Sequence, residues 1–81
     1  MTNQIHRLEI TSDMKFKAPL KVGFAWQEQR GAFSVWYRSD DSTQRTYQIL
    51  GTGHAGEIIE LAASCVMPDG FTVIHLCEVL P

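Results

Sequence analysis

The sequence lacks most of the features that mark a membrane or secreted protein. No apolar run approaches the roughly 20 residues that a membrane helix requires. The first residues, MTNQIHRLEI, are polar, so we do not expect them to be a secretory leader. Two cysteines without a leader are typical of reduced thiols in a cytosol. We therefore expect a cytoplasmic protein with no membrane partner.

An excess of basic charge is also missing. The chain carries nine acidic and seven basic side chains, for a net charge of −2. Nucleic-acid binding draws most of its affinity from lysine and arginine neutralising phosphates, so a general nucleic-acid partner is not expected. Lys15, Lys17 and Lys21 lie close together in sequence, so a local basic stripe stays an open alternative. The three lysines also match the solvated face of a strand.

The length and composition that are present indicate one ordinary globular domain. Eighty-one residues build a single core, and we expect one domain over residues 1–81. The chain is 44% hydrophobic and 20% charged, with no repeats or low-complexity segment. Disorder is therefore not the expected state.

Apolar residues recur at every second position over most of the chain, which is the period of a strand. Turn chemistry separates the strands at Glu28–Gly31 and at Pro68–Gly70, where Gly70 suits a positive φ. Positions that share a strand face include His6, Leu8, Ile10; Val22, Phe24, Trp26; Phe33, Val35, Tyr37; and Arg45, Tyr47, Ile49. The pattern predicts an all-β, mainly antiparallel fold, a small sandwich or barrel of six to seven short strands.

One segment, AGEIIELAASCVM, is ambiguous between helix and strand. Ile58, Leu61, Ala62 and Cys65 recur at helical spacing, and the composition favours a helix. Pairing across the Pro68–Gly70 turn instead makes the end of this segment a strand. We expect at most one short helical turn near residues 56–62, followed by strand to Met67.

The run RTYQILGTGH ends an alternating strand with two glycines and a histidine. Backbone N–H groups in a glycine-rich turn can hold an anion, and Arg45 and His54 add polar side chains. Arg45, Gly51, Thr52, Gly53 and His54 are therefore a candidate ligand site. The phosphate-loop and dinucleotide motifs are absent, so the alternative that the glycines only relieve a sharp bend stays open.

Metal binding, a disulfide and catalysis are each poorly supported. His75 and Cys77 share a strand face, but no spacing typical of a metal site accompanies them. A turn centred on residues 68–70 places Cys65 opposite residue 73 and about 13 Å from Cys77, which predicts two free thiols. Ser64 and the histidines show no recognisable catalytic arrangement. We expect no metal, no cofactor and no enzyme activity.

The run RTYQILGTGH and the later DGFTVIHLCEV together resemble an uncharacterised family of short phage- and prophage-encoded proteins. The opening strand, Ile5–Ile10, also resembles that family. The chain departs from the family pattern at Cys77, where an aromatic is expected, and at residues 55–62, which lack a proline-rich linker. The matching positions are Arg45, Tyr47, Ile49, Gly51, Thr52, Gly53, His54, Gly70, His75 and Glu78. The family has no established activity, so the resemblance implies a phage context and the host cytoplasm rather than a mechanism.

Three functional interpretations follow. The first is a non-enzymatic phage accessory protein that binds a protein partner, as a host-directed inhibitor or assembly factor. Trp36, Tyr37 and Arg38 have the residue types of an interface hot spot. The second is an oligomeric binder of a phosphorylated nucleotide that uses the Gly-Thr-Gly-His corner. The third is a self-associating structural protein whose strand edges pair into a homo-oligomer.

Overall fold

The computed structural model describes residues 4–39 and 43–81. Within those ranges it contains seven strands and one 3-10 turn, Glu28–Arg30. The strands are β1 (Ile5–Ile10), β2 (Phe16–Pro19), β3 (Gly23–Gln27), β4 (Ala32–Arg38), β5 (Gln44–Gly51), β6 (Ile58–Val66) and β7 (Val73–Val79). Every strand pairing is antiparallel, which confirms the predicted all-β fold.

The strands form two sheets that face each other. One sheet has the order β1-β4-β3 and the other β2-β5-β7-β6. Inward-facing side chains of both sheets meet in the main core, which is built on Val35, Tyr47, Ile49 and Leu76. The Tyr47 hydroxyl is buried and donates a 2.8 Å hydrogen bond to the carbonyl oxygen of Pro19, so its burial leaves no polar group unpaired.

Both predicted turns are confirmed. The chain between β3 and β4 closes through Gly31, whose φ of 61° is in the left-handed region. Gly70 has a φ of 77° in the turn between β6 and β7. The Asp69 carboxylate accepts hydrogen bonds from the backbone N–H groups of Phe71 and Thr72, as its turn chemistry predicts.

The ambiguous segment forms a strand, and the helical turn allowed near residues 56–62 is not formed. β6 begins at Ile58 and contains two irregularities, between Ile58 and Glu60 and between Leu61 and Ala63. Each inserts one extra residue, so outward-facing side chains recur three positions apart at 58, 61 and 64. Two β-bulges therefore reproduce the spacing of a helix within a strand.

The connection between β5 and β6, residues 52–57, crosses the outer face of its sheet. β7 lies between these two strands, and Gly51 and Ile58 pair with opposite ends of β7, at Ile74 and Val79. Their separation is about 20 Å, whereas seven residue steps reach at most about 25 Å. We call this nearly extended segment the strap.

The strap explains a second buried cluster, Leu50, Cys77 and Val79, on the side of the sheet away from the main core. Gly56 lies directly on Leu50, because a Cβ at Gly56 would fall 2.7 Å from Leu50 Cδ1. The backbone N–H of Leu80 donates a 3.0 Å hydrogen bond to the carbonyl of Glu57 and fixes the end of the strap.

The two cysteines are free thiols. Cys65 lies opposite Ile74, so the predicted register at residue 73 was wrong by one position. The reason is the hairpin loop, which has one more residue than expected and closes with a 2.8 Å hydrogen bond from Met67 N–H to the Thr72 carbonyl. Burial raises the pKa of both thiols, and at Cys65 a hydrogen bond with the Trp26 backbone offsets part of that effect.

Candidate functional site

The Gly-Thr-Gly-His corner is a tight turn at the end of β5. The His54 N–H donates a 3.1 Å hydrogen bond to the Gly51 carbonyl, and Gly53 takes a φ of 86°, as the third residue of a type II turn must. The His54 ring folds back onto Gly51, since a Cβ there would lie 3.0 Å from His54 Nδ1. The two glycines are thus required by the turn and by the close approach of the imidazole.

Gly51 and His54 lie at the edge of a cleft of about 420 Å³ between the two sheets. Its inner walls are apolar and aromatic, and its rim is polar. The lining residues outside the corner are Ile10, Thr11, Ser12, Asp13, Trp26, Gly31, Phe33, Ile49 and Ile74. The corner that the sequence singled out therefore borders a cleft of ligand size.

The predicted anion site is only partly assembled. Arg45 lies at the opposite end of β5 from Gly51, about 20 Å away at the usual rise of a strand. Thr52 bonds to His75, and neither it nor Gly53 belongs to the cleft lining. Asp13 is the one Asp, Glu, Lys or Arg among the described lining residues, so the cleft carries negative charge.

A row of hydrogen bonds that the sequence did not predict joins Thr52, His75 and Ser64. His75 Nε2 lies 2.8 Å from Thr52 Oγ1, and His75 Nδ1 lies 2.7 Å from Ser64 Oγ. The Thr52 hydroxyl also donates to the Val73 carbonyl at 3.2 Å. Which ring nitrogen of His75 donates depends on the tautomer, and either tautomer allows one hydrogen bond to each hydroxyl. The row fastens the corner to the β6–β7 hairpin.

The predicted interface residues Trp36, Tyr37 and Arg38 come together around a shallow hollow of about 310 Å³. Trp36 and Tyr37 are both half-buried, and Arg38 is exposed. Trp36 faces outward beside Arg7 and Gly23, whereas the Tyr37 ring stacks on His6 with centroids 5.4 Å apart. The two aromatic rings therefore lie on opposite faces of the sheet.

A group of exposed, large apolar side chains lies at the start of β6. Ile58, Ile59 and Leu61 are 50%, 54% and 56% exposed, and Leu80 is 49% exposed. The hydrogen bond from Leu80 N–H to the Glu57 carbonyl holds Leu80 beside the strand start. We name these four side chains the β6 patch.

Two carboxylates lie on the opposite face of β6 from Ile58 and Leu61, which pair with Val79 and Cys77 and face outward. Glu60 lies directly opposite Glu78 across β6 and β7, and both line a hollow of about 330 Å³ together with Leu61. Lys21 also lines this hollow. Glu57 precedes the patch and is exposed. The Lys15 ammonium also donates a 2.9 Å hydrogen bond to the Leu80 carbonyl, so three carboxylates and two ammonium groups surround the apolar surface.

Other site types find no support in the described residues. Among residues 4–39 and 43–81, no three His, Cys, Asp or Glu side chains are grouped so that they could hold a metal ion. None of the helical segments in those ranges is long and apolar enough to cross a membrane. Comparisons with protein-family models, curated proteins and solved structures find no match to this chain.

Proposed function

We propose that this protein is a non-enzymatic binding protein whose β6 patch contacts a protein partner. The observation that carries the proposal is the grouping of four half-exposed apolar side chains at the start of the edge strand β6. The partner surface is apolar at its centre and is flanked by lysine or arginine.

The apolar part of the argument rests on location. Single exposed apolar residues are common on protein surfaces, but a contiguous group rimmed by polar residues is typical of an interaction site. Ile58 and Leu61 share the outward face of β6, Ile59 is the bulge residue between Ile58 and Glu60, and Leu80 is hydrogen-bonded to the backbone that leads into the strand. Trp36 and Tyr37, by contrast, are already half-covered by their own sheet.

The electrostatic part of the argument distinguishes between partners. Like charges directly opposite each other across two strands are destabilising. Basic side chains of a partner that covers the edge of β6 as well as the patch relieve the repulsion between Glu60 and Glu78. A second copy of this chain, related by a two-fold axis through the patch, brings the same carboxylates together. Lys15 and Lys21 also lie beside the patch and offset part of this repulsion, so we propose a different protein as the partner and treat self-association as the competing outcome.

The resemblance to phage proteins supplies the class of partner. On that resemblance, the partner is a bacterial host or phage protein, and the chain acts as an inhibitor or an assembly factor. The same charge argument weakens the phosphorylated-nucleotide alternative, because the described cleft lining offers Asp13 but no lysine or arginine.

The test compares two charged substitutions on the same strand. Leu61→Asp alters the β6 patch, and Val66→Asp is the matched control, since Val66 is 60% exposed and faces the same side at the other end of β6. Both variants are first checked for a folded circular-dichroism spectrum. We expect a protein captured from bacterial lysate by the wild type to be lost with Leu61→Asp and kept with Val66→Asp, and its capture to weaken with added salt. Equal capture by all three chains, or equal loss with both variants, contradicts the proposal.

A further inference from the structure

We propose that the cleft between the sheets, on a different surface from the β6 patch, binds a small planar aromatic molecule that is uncharged or positively charged and carries a hydrogen-bond acceptor. The cleft volume of about 420 Å³ is within the usual range for small-molecule sites. Its shape, its unpaired donor and its charge each restrict the ligand.

The walls select a flat apolar ring. Trp26 and Phe33 line the cleft and meet edge to face, with ring centroids 5.0 Å apart. Ile10, Ile49 and Ile74 add to this apolar lining. Aromatic rings prefer such offset or edge contacts, so a ligand ring gains specific contacts here in addition to burial.

Trp26 supplies the hydrogen-bond donor. Its Nε1 is buried and has no hydrogen-bond partner among the described residues. Buried polar groups are nearly always paired, so an unpaired indole N–H beside a cleft needs an explanation. Because the atom is shielded from solvent, an acceptor reaches it only when neighbouring side chains shift. The indole N–H therefore reports directly on ligand entry.

The rim selects against anions. Asp13 is exposed at the rim, and the other polar lining residues include Ser12 and His54. The Asp13 carboxylate repels a carboxylate or phosphate and can accept a hydrogen bond from an amino or amide group. Benzamide combines a planar ring, a carbonyl acceptor and an NH₂ donor, and benzoate has nearly the same shape with a negative charge. Comparing benzamide with benzoate therefore separates the effect of ligand charge on binding from the effect of ligand shape.

Nitrogen-edited NMR of the whole chain tests the proposal with these two probes. The two tryptophans give two indole N–H signals, which Trp36→Phe assigns. We expect benzamide to bind with a millimolar dissociation constant, which is appropriate for so small a fragment. It should shift the Trp26 signal saturably and leave the Trp36 signal in place. Benzoate is expected to bind about tenfold more weakly, and Asp13→Asn to reduce that difference.

Trp26→Phe keeps an aromatic ring and removes the donor. We expect benzamide affinity, followed on the backbone amides of Gly31 and Gly51, to fall about tenfold in this variant. Equal affinity for benzoate and benzamide overturns the charge argument. An unmoved Trp26 signal, or unchanged benzamide affinity in Trp26→Phe, overturns the assignment of the donor. None of these outcomes depends on whether a protein partner binds the β6 patch.

Discussion

Glu60 and Glu78 lie directly opposite each other on neighbouring strands, on the other face of β6 from the exposed side chains of Ile58 and Leu61. A carboxylate pair in this position opposes strand pairing, because the two like charges are held close. Residues that reduce stability in a folded protein are commonly found at functional sites. The pair therefore adds to the argument for partner binding at the edge strand β6, which rests on the exposed apolar group.

Neutralising one member of the pair should stabilise the protein. We predict that Glu60→Gln raises the free energy of unfolding by roughly 0.2–1 kcal/mol, since it removes the repulsion from Glu78 and keeps the side-chain shape. Urea denaturation at low ionic strength measures the change, and added salt should reduce it. Glu9→Gln is the control, because Glu9 forms an exposed 3.6 Å ion pair with Arg30 and should gain nothing. A loss of stability in Glu60→Gln contradicts this interpretation.

The strap should tolerate no added volume at Gly56. We predict that Gly56→Val lowers the free energy of unfolding by about 1–3 kcal/mol, because its Cβ would lie 2.7 Å from a Leu50 methyl carbon that is itself buried. Gly23→Val is the matched control, since a Cβ at Gly23 meets Trp36 at an ordinary 3.9 Å. Thermal or urea denaturation compares the two. A destabilisation that is equal at both glycines would show that the strap does not press on the sheet.

The hairpin between β6 and β7 should lose stability in acid. Hydrogen bonds from the Thr72 hydroxyl and from the backbone N–H groups of Thr72 and Phe71 hold the pKa of Asp69 below its usual value. A lowered folded-state pKa contributes stability above the unfolded value of about 3.9, and that contribution disappears as the pH falls through the folded value. The difference in stability between the wild type and Asp69→Asn should be constant from pH 7 to about 5 and should shrink below about 4. A stability difference between the two proteins that grows as the pH falls would contradict this prediction.

The thiols should react slowly in the folded protein. Burial raises the pKa of Cys65 and Cys77, so less of each thiol is present as the reactive thiolate at neutral pH. A thiol-disulfide reagent should label both cysteines more slowly than an unstructured cysteine, and Cys77, at 3% exposure, more slowly than Cys65. Labelling of both in denaturant at equal rates is the control. Fast labelling of Cys77 in the native state would show that the strap opens readily.

Much of the fold follows from the period-two pattern, because strands with one buried face keep that pattern in sequence. The face shared by Phe33, Val35 and Tyr37 was predicted in this way. β6 was the exception, since its two bulges change the spacing of outward side chains from two to three. A bulge depends on the partner strand, so a single-sequence pattern does not reveal it.

The residues of the candidate sites likewise divide into those that a local sequence pattern reveals and those that only the packing of the fold brings together. Gly51 and His54 were found from sequence because a glycine turn has a local signature. Trp26 and Asp13 join them only through the packing of one sheet on the other, which no local pattern encodes. Arg45 was placed with the corner because it is near in sequence, yet an extended strand separates the two. The pairing of Ser64 with His75 required the hairpin register, which was predicted one residue out of place.

The most direct test of partner binding is site-specific photo-crosslinking in bacterial lysate. A benzophenone amino acid replaces Ile59 in one variant and Trp36 in another, so that each of the two surfaces carries a probe. Ile59 is 54% exposed, and such a substitution leaves the core intact. We predict one dominant crosslinked protein from position 59 and none from position 36, with apolar and basic residues at the crosslinked peptide. The same product from position 36 alone, or from neither position, would contradict the assignment of the β6 patch.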